Sequence, residues 1–199
     1  MSVNGLALAS GLAPRADSLP ALLRARAMPA ADESLRRAVA EHLDLVWRVL
    51  RRAGLLPADA EDATQDVFWV LAQRLDAVPE RARRAFLMAT ALRVASDRRR
   101  SKWHRSVDTG LDLEQKASAE RGADERLELR RAAELLDRAL GTLDEPDRAV
   151  YIMAELEELS RTEVAEALGI PKGTVASRLR RARDAFESAV RRLQREGRR

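Results

Sequence analysis

Cations and hydroxyls near the C-terminus have the chemistry of a helix that reads duplex DNA. Lysine and arginine bind phosphates and guanine edges, and serine and threonine hydroxyls bond to either. On a helical wheel these side chains lie opposite or beside an apolar stripe, so the buried and basic faces are separate. The predicted DNA contacts are Lys172, Thr174, Ser177, Arg178, Arg180 and Arg181. The apolar stripe comprises Val175, Leu179, Ala182, Phe186, Val190 and Leu193.

A short helix and a tight turn are predicted to position this basic helix. Ser160 and Glu163 have the spacing of a capping box, which satisfies backbone N–H groups at a helix start. Gly169 suits the left-handed residue that ends a helix, and Pro171 prevents its continuation. The second helix then begins close to Lys172. This pattern favours a helix-turn-helix that enters the major groove, with an αα-hairpin bearing a solvated basic face as the alternative.

A second basic segment follows a predicted helix that Pro79 opens. Trp103 and His104 are interleaved there with five cations, which suits phosphate contact together with base stacking. A frayed basic helix end would explain the same residues without nucleic acid. The cations are Arg98, Arg99, Arg100, Lys102 and Arg105.

A third surface lies on a helix predicted to begin near Ala58 or Asp59 and to end near Leu75. Its acidic first turn complements the positive end of the helix dipole. Core residues are expected at Val67, Val70 and Leu71. The expected surface is mixed polar and aromatic, a composition commoner at interfaces than on inert surfaces. It comprises Gln65, Asp66, Phe68 and Trp69.

Composition favours an all-α protein. The chain has 199 residues, of which 46% are hydrophobic and 4% aromatic, and strong helix formers dominate it. No convincing alternation typical of strands is present. The net charge is +4, from 36 basic and 32 acidic residues, so local basic patches matter more than the total. Because there is no cysteine, disulfides and thiol catalysis are excluded.

Four segments are expected along the chain. Residues 1–32 are interpreted as a mobile tail, and 33–105 as a first helical domain whose first helix has an apolar face. Residues 106–126 form a flexible acidic linker, because glycine, serine and acids replace the periodic pattern there. Residues 127–195 form a second small helical domain, with the helix-turn-helix and with Asp144 as a predicted helix cap.

No enzyme active site is predicted. His42 and His104 belong to no metal-spacing pattern, and neither a Walker loop nor a nucleophile elbow occurs. The acidic pair Glu157 and Glu158 is expected on a helix surface. We therefore expect no metal and no cofactor. Neither a membrane span nor a signal peptide is predicted, so a cytoplasmic protein is the expectation.

Three stretches together resemble the extracytoplasmic-function (ECF) sigma factors of bacterial RNA polymerase. Residues 60–68 resemble the helix of that family that binds core polymerase. Residues 86–97 and the arginine run after them resemble its promoter-melting segment. Residues 143–183 resemble its second conserved domain, most specifically at 173–183.

The resemblance implies partners and roles. The first domain would bind the clamp-helix coiled coil of core polymerase through Asp62, Gln65, Asp66 and Phe68. Residues that would engage and melt the −10 promoter element are Arg93, Asp97, Arg98, Arg99, Arg100, Lys102 and Trp103. The second domain would meet the polymerase flap and place the helix from Lys172 in the −35 element. An anti-sigma factor is a candidate regulator.

The leading hypothesis is therefore an alternative sigma factor that directs promoter-specific initiation, with −10 melting and −35 recognition. A stand-alone helix-turn-helix regulator that never contacts polymerase is the alternative. A helical interaction protein with degenerate DNA motifs is a third interpretation, and it predicts no salt-dependent DNA binding.

Overall fold

The computed structural model describes the backbone of residues 33–109 and 124–196, and the side chains of residues 33–101 and 131–196. All regular structure in these ranges is helical, which confirms the predicted class. The predicted N-terminal tail lies outside the described residues. None of the described helices combines the length and apolar character needed to span a bilayer.

The first half is a bundle of three helices. These are α1 (Glu33–Arg52), α2 (Pro57–Ala72) and α3 (Glu80–Thr109), and each packs against the other two. Side chains three and four residues apart along α1 form the apolar stripe that joins the bundle. That stripe is buried as the sequence predicts, at Leu35, Val39, Leu43, Val46 and Leu50.

Four α-helices lie in the described part of the second half. They are α4 (Asp124–Gly141), α5 (Glu145–Tyr151), α6 (Arg161–Leu168) and α7 (Lys172–Glu196). A π-helical turn, Ile152–Leu156, continues α5. Asp144 occupies the N-cap position of α5, but the prediction that it caps the helix is wrong because its side chain makes no cap hydrogen bond. The ring of Tyr151 stacks on that of Phe186 at 4.7 Å and joins the end of α5 to α7.

The helices on either side of the predicted linker extend into it. The predicted linker spans 106–126, but α3 continues to Thr109 and α4 already begins at Asp124. Helix α3 continues through the basic run because arginine and lysine have high helix propensity. The remainder of the predicted linker lies outside the described residues.

The two halves are in contact in this structure. Helix α6 packs against α3, and α4 contacts α1. Buried residues of both halves belong to one continuous hydrophobic cluster, from Leu35 in α1 to Leu193 in α7. The sequence suggests two separate modules and does not predict this association.

The turn after the π-helical segment contains Glu157 and Glu158, which were expected on a helix surface. Glu158 has a φ of 57°, in the left-handed region, and reverses the chain. Glu157 is therefore not on a helix surface but 5% exposed, at the contact between the halves.

Candidate nucleic-acid interface

The predicted helix-turn-helix is formed by α6 and α7. The Ser160 hydroxyl accepts from the Glu163 N–H at 3.3 Å, and the Glu163 carboxylate accepts from the Ser160 N–H at 2.8 Å. This reciprocal pair is the predicted capping box, and its hydrogen bonds lower the pKa of Glu163. Gly169 ends α6 at a φ of 65°, which confirms its left-handed role. Buried Val164, Val175 and Leu179 fix the two helices together.

Replacing Ser160 with alanine is expected to destabilise this motif by about 1 kcal/mol, since an N-cap hydroxyl contributes about that much. Urea unfolding followed by circular dichroism measures the loss. Ser188→Ala, at an exposed position inside α7, is the matched control and is expected to be close to neutral. Equal stability of the two variants would contradict the capping role.

The basic face of α7 is only partly open to solvent. Lys172, Ser177 and Arg180 are exposed, whereas Thr174 and Arg178 are half-buried. Neither Lys172 nor Arg180 has an ion pair with another described residue, so both cations are available for phosphates or base edges. Ser177 and Arg180 are three residues apart and therefore lie on one helical face.

Arg181 has a second role that the sequence did not reveal. Its Nε and Nη2 atoms donate to the two carboxylate oxygens of Asp147 in α5, at 3.0 and 2.7 Å. These hydrogen bonds raise the pKa of Arg181, and Asp147 is itself 7% exposed. Arg183 Nε and Nη2 both donate to Glu155 Oε1, at 3.2 and 2.6 Å. The two arginines join α7 to α5 and to the π-helical turn that continues it, so Arg181 is not a free cation in this conformation.

The basic segment of α3 is also engaged within the protein. Arg98 Nη2 lies 2.5 Å from Asp66 Oδ2, and Arg98 Nη1 donates to the Asp59 carbonyl. Arg100 pairs with Asp97 one turn away at 2.8 Å. Arg93 is exposed. The side chains of Lys102 and Trp103 lie outside the described residues.

Helix α2 presents an acidic surface, and of the two aromatic residues predicted on it Trp69 is half-buried whereas Phe68 is buried. Asp62 is exposed and Gln65 and Asp66 are half-buried. Phe68 is 2% exposed and belongs to the core. The prediction that Phe68 is part of an exposed polymerase-binding surface is wrong for this conformation, because its ring already fills the space between the helices.

Both basic segments meet at a cleft between the halves. A cavity of about 270 Å³ is lined by Arg93 and Arg99 of α3 and by Arg178 of α7, with Leu92 and Ile170 as apolar walls. Arg99 donates to the Ala53 carbonyl at 2.9 Å and to the Glu145 carboxylate at 2.6 Å.

Arg148 lies beside the same cleft. It donates to the carbonyls of Ala53 and Leu143 at 3.2 and 2.9 Å. Burial, together with the charge of neighbouring Arg99, lowers its pKa to about 10. Although burial works in the other direction, hydrogen bonds from Ser96 and Arg99 lower the pKa of Glu145, so this carboxylate is the natural counter-ion of the cleft.

A helix-turn-helix with an open cationic face, coupled to a second helical unit with its own basic segment, defines a helical DNA-binding protein. Comparison with known families narrows the class. The family model for Sigma-70 region 2 matches residues 38–105, and that for Sigma-70 region 4 matches residues 133–186. The two matches fall on the two halves of the structure.

Individual relatives agree with these matches. The ECF RNA polymerase sigma factor SigL of Mycobacterium tuberculosis is 30% identical over 175 residues, which cover 86% of this chain and 98% of that protein. SigE of Mycolicibacterium smegmatis is 28% identical over 159 residues, 79% of this chain and 60% of that protein. The chain belongs to the ECF sigma factors of the sigma-70 family.

Two solved structures share the fold. CnrH in complex with the cytosolic domain of CnrY is 26% identical with a TM-score of 0.56, over 84% of this chain and 94% of that one. The sigma factor RpoE of Bartonella quintana, in complex with the anti-sigma factor NepR, is 19% identical with a TM-score of 0.64, over 80% and 98%. Family membership makes this chain an alternative sigma factor in transcription initiation, and the stand-alone regulator is not favoured.

Proposed function

We propose that this chain joins core RNA polymerase through the acidic face of α2 and directs it to promoters through α7 and α3. The observation that carries this assignment is the division of the two cationic segments between the region 4 and region 2 matches. The chain contributes binding and strand separation rather than bond chemistry, and works without a cofactor in the cytoplasm.

Contacts with the −35 element are assigned to the first turns of α7. Lys172 and Arg180 are separated by eight residues, or about 12 Å along a helix, which is comparable to the width of the major groove. We assign Arg180 to a guanine edge and Lys172 to a phosphate, with Ser177 beside Arg180 on the same face. Thr174 and Arg178 complete this surface when the halves separate, and Arg181 joins it by exchanging Asp147 of its own half for DNA.

Contacts with the −10 element are assigned to the exposed side of α3. Arg93 and Arg100 are exposed, and Lys102 and Trp103 follow on the same helix. Extruding a base from the duplex costs a few kcal/mol, which cation contacts and stacking on an aromatic ring can offset.

Two protein partners follow from the same assignment. Asp62, Gln65 and Asp66 would contact the clamp-helix coiled coil of polymerase, and the second half would contact the flap. CnrH and RpoE were solved with CnrY and the anti-sigma factor NepR respectively. A protein antagonist of this kind is the proposed regulator of this chain.

Replacing Arg180 with alanine tests the −35 assignment. Loss of a bidentate base contact is expected to weaken holoenzyme binding by about 1–3 kcal/mol and to relax specificity at one base pair. Binding to a library of −35 variants measures both effects, with Arg191→Ala, at an exposed site far along α7, as the control. Uniform weakening across the library, equal in both variants, would contradict the placement of this helix in the groove.

A further inference from the structure

One buried carboxylate of the second half lies among three arginines of the first. The Glu157 side chain is 4% exposed and that of Arg52 1%, and Arg52 Nη1 donates to Glu157 Oε1. Arg48 Nε lies 3.3 Å from the same oxygen. Arg84 Nη2 lies 3.6 Å from Oε2 and donates to the Glu157 carbonyl at 2.7 Å. The halves are thus joined by a charge cluster as well as by apolar packing.

Other polar contacts also join the two halves. Arg99 of α3 pairs with Glu145 of α5 at 2.6 Å, and Arg51 of α1 lies 3.7 Å from Asp137 of α4. Burial lowers the pKa of Arg52. Each contact joins one half to the other, so all of them are lost together when the halves separate.

The free energy of forming such a buried charge cluster is compatible with reversible closing of the two halves. Attraction between buried charges is largely offset by the loss of their hydration, and hydration is regained when the partners separate into water. The intact cluster is therefore compatible with opening. Removing the single carboxylate is different, because buried Arg52 then loses the charge with which it is paired at closest range, and that disfavours the closed form.

The closed arrangement is incompatible with simultaneous recognition of both promoter elements. The −10 and −35 elements lie about 25 base pairs apart, or roughly 85 Å along the duplex at the spacing of one strand's charges. Arg93 and Arg178, from the two DNA-binding surfaces, line one cavity of about 270 Å³. No duplex fits between them, so the halves must separate before both elements are bound.

We propose that Glu157 is a latch that holds the free chain closed, and that release of this carboxylate from Arg48, Arg52 and Arg84 accompanies entry into the polymerase. The latch rests on the proposed function only for its biological role, since the closed form is a property of the chain alone. It hides part of each DNA-binding surface until the polymerase separates the halves.

The first test measures the separation of the halves in the free, full chain. Because the sequence has no cysteine, spin labels can be placed on cysteines introduced at Arg37 in α1 and Ser188 in α7, both exposed. The unsubstituted chain is expected to give one narrow distance distribution. Glu157→Gln is expected to add a longer component and to raise the open-to-closed ratio at least about tenfold. Glu158→Gln, an exposed neighbour, is the matched control and is expected to leave the distribution unchanged.

A second substitution acts from the opposite half. Arg84 has a side chain that is 45% exposed, so Arg84→Gln is expected to loosen the latch without disturbing the first bundle. Circular dichroism shows whether each variant is folded. If Glu157→Gln is not folded, the distances are measured in Arg84→Gln instead. Distances that stay closed in the folded variants would overturn the latch.

Association with core polymerase supplies the functional measurement. Apparent affinity scales with the fraction of open chain, so Glu157→Gln and Arg84→Gln are expected to bind core several-fold more tightly, with unchanged transcript yield at saturation. Unchanged affinity despite opened halves would overturn the regulatory role. A third outcome separates the two proposals. If the unsubstituted chain does not bind core, but the distance between the spin labels is still longer in Glu157→Gln, the proposed function fails and the latch is supported.

Discussion

Phe68→Ala is expected to lower the free energy of unfolding by about 3–5 kcal/mol, the usual cost of truncating a buried aromatic side chain. The ring is 2% exposed and belongs to the same buried cluster as Val67 and Leu71 of α2. Truncation removes its contacts and leaves a cavity between the helices. Urea unfolding followed by circular dichroism measures the loss.

A conservative variant separates packing from polymerase contact. Phe68→Leu keeps much of the apolar volume and is expected to lose less stability and to retain core binding. If Phe68→Ala were as stable as the unsubstituted protein and lost only core binding, the ring would be an exposed contact, as the sequence suggested, and its assignment to the core would be wrong.

Asp62→Lys is expected to reduce holoenzyme formation by at least about tenfold while leaving stability unchanged. Asp62 is exposed on α2 and has no ion pair with another described residue, so the substitution breaks nothing inside the protein. At a charged interface the new lysine would face cations of the partner, and like-charge contacts of this kind cost several kcal/mol. Competition with a labelled sigma factor for core polymerase measures the effect.

Asp44→Lys is the matched control, because Asp44 is an exposed acid on α1. It is expected to bind core normally. Asp66 is a poorer choice, since it pairs with Arg98 at 2.5 Å and its loss would also free a cation. If Asp62→Lys bound core polymerase as tightly as the unsubstituted chain, the acidic face of α2 would not be part of the polymerase interface.

Locally determined features were predictable from the sequence. The capping box of Ser160 and Glu163 and the left-handed Gly169 depend on residues a few positions apart, and the structure confirms them. The apolar stripe of α1 was equally clear, because one helix face needs only a regular spacing. The helix-turn-helix is built from such local signals and was therefore found.

Helical spacing in the sequence also indicates that Phe68 is buried. Ala60, Thr64 and Phe68 are spaced by four residues, and Val67 and Leu71 complete the same buried face. The charged residues beside Phe68, in contrast, suggest that its ring lies at an interface with another protein. Helical spacing is the more reliable guide, because it reports directly which side of the helix meets the core.

The contacts between the halves could not be predicted. Glu157 and Arg52 are 105 positions apart, and nothing local distinguishes either from the many exposed charges of the chain. The same is true of Arg99 with Glu145, and of Arg181 with Asp147 inside the second half. Their charge alone suggests that Arg99 and Arg181 contact DNA. In the structure each of them is paired with a carboxylate of the protein.

We infer that this one chain brings polymerase to paired promoter elements. Transcription of a genomic DNA library by core polymerase and this chain, with the 5′ ends of the transcripts mapped, tests that role. We predict discrete start sites preceded by two shared elements, centred near −10 and −35, that are absent with core alone. Transcripts indistinguishable from those of core alone, with the added chain folded, would contradict the claim.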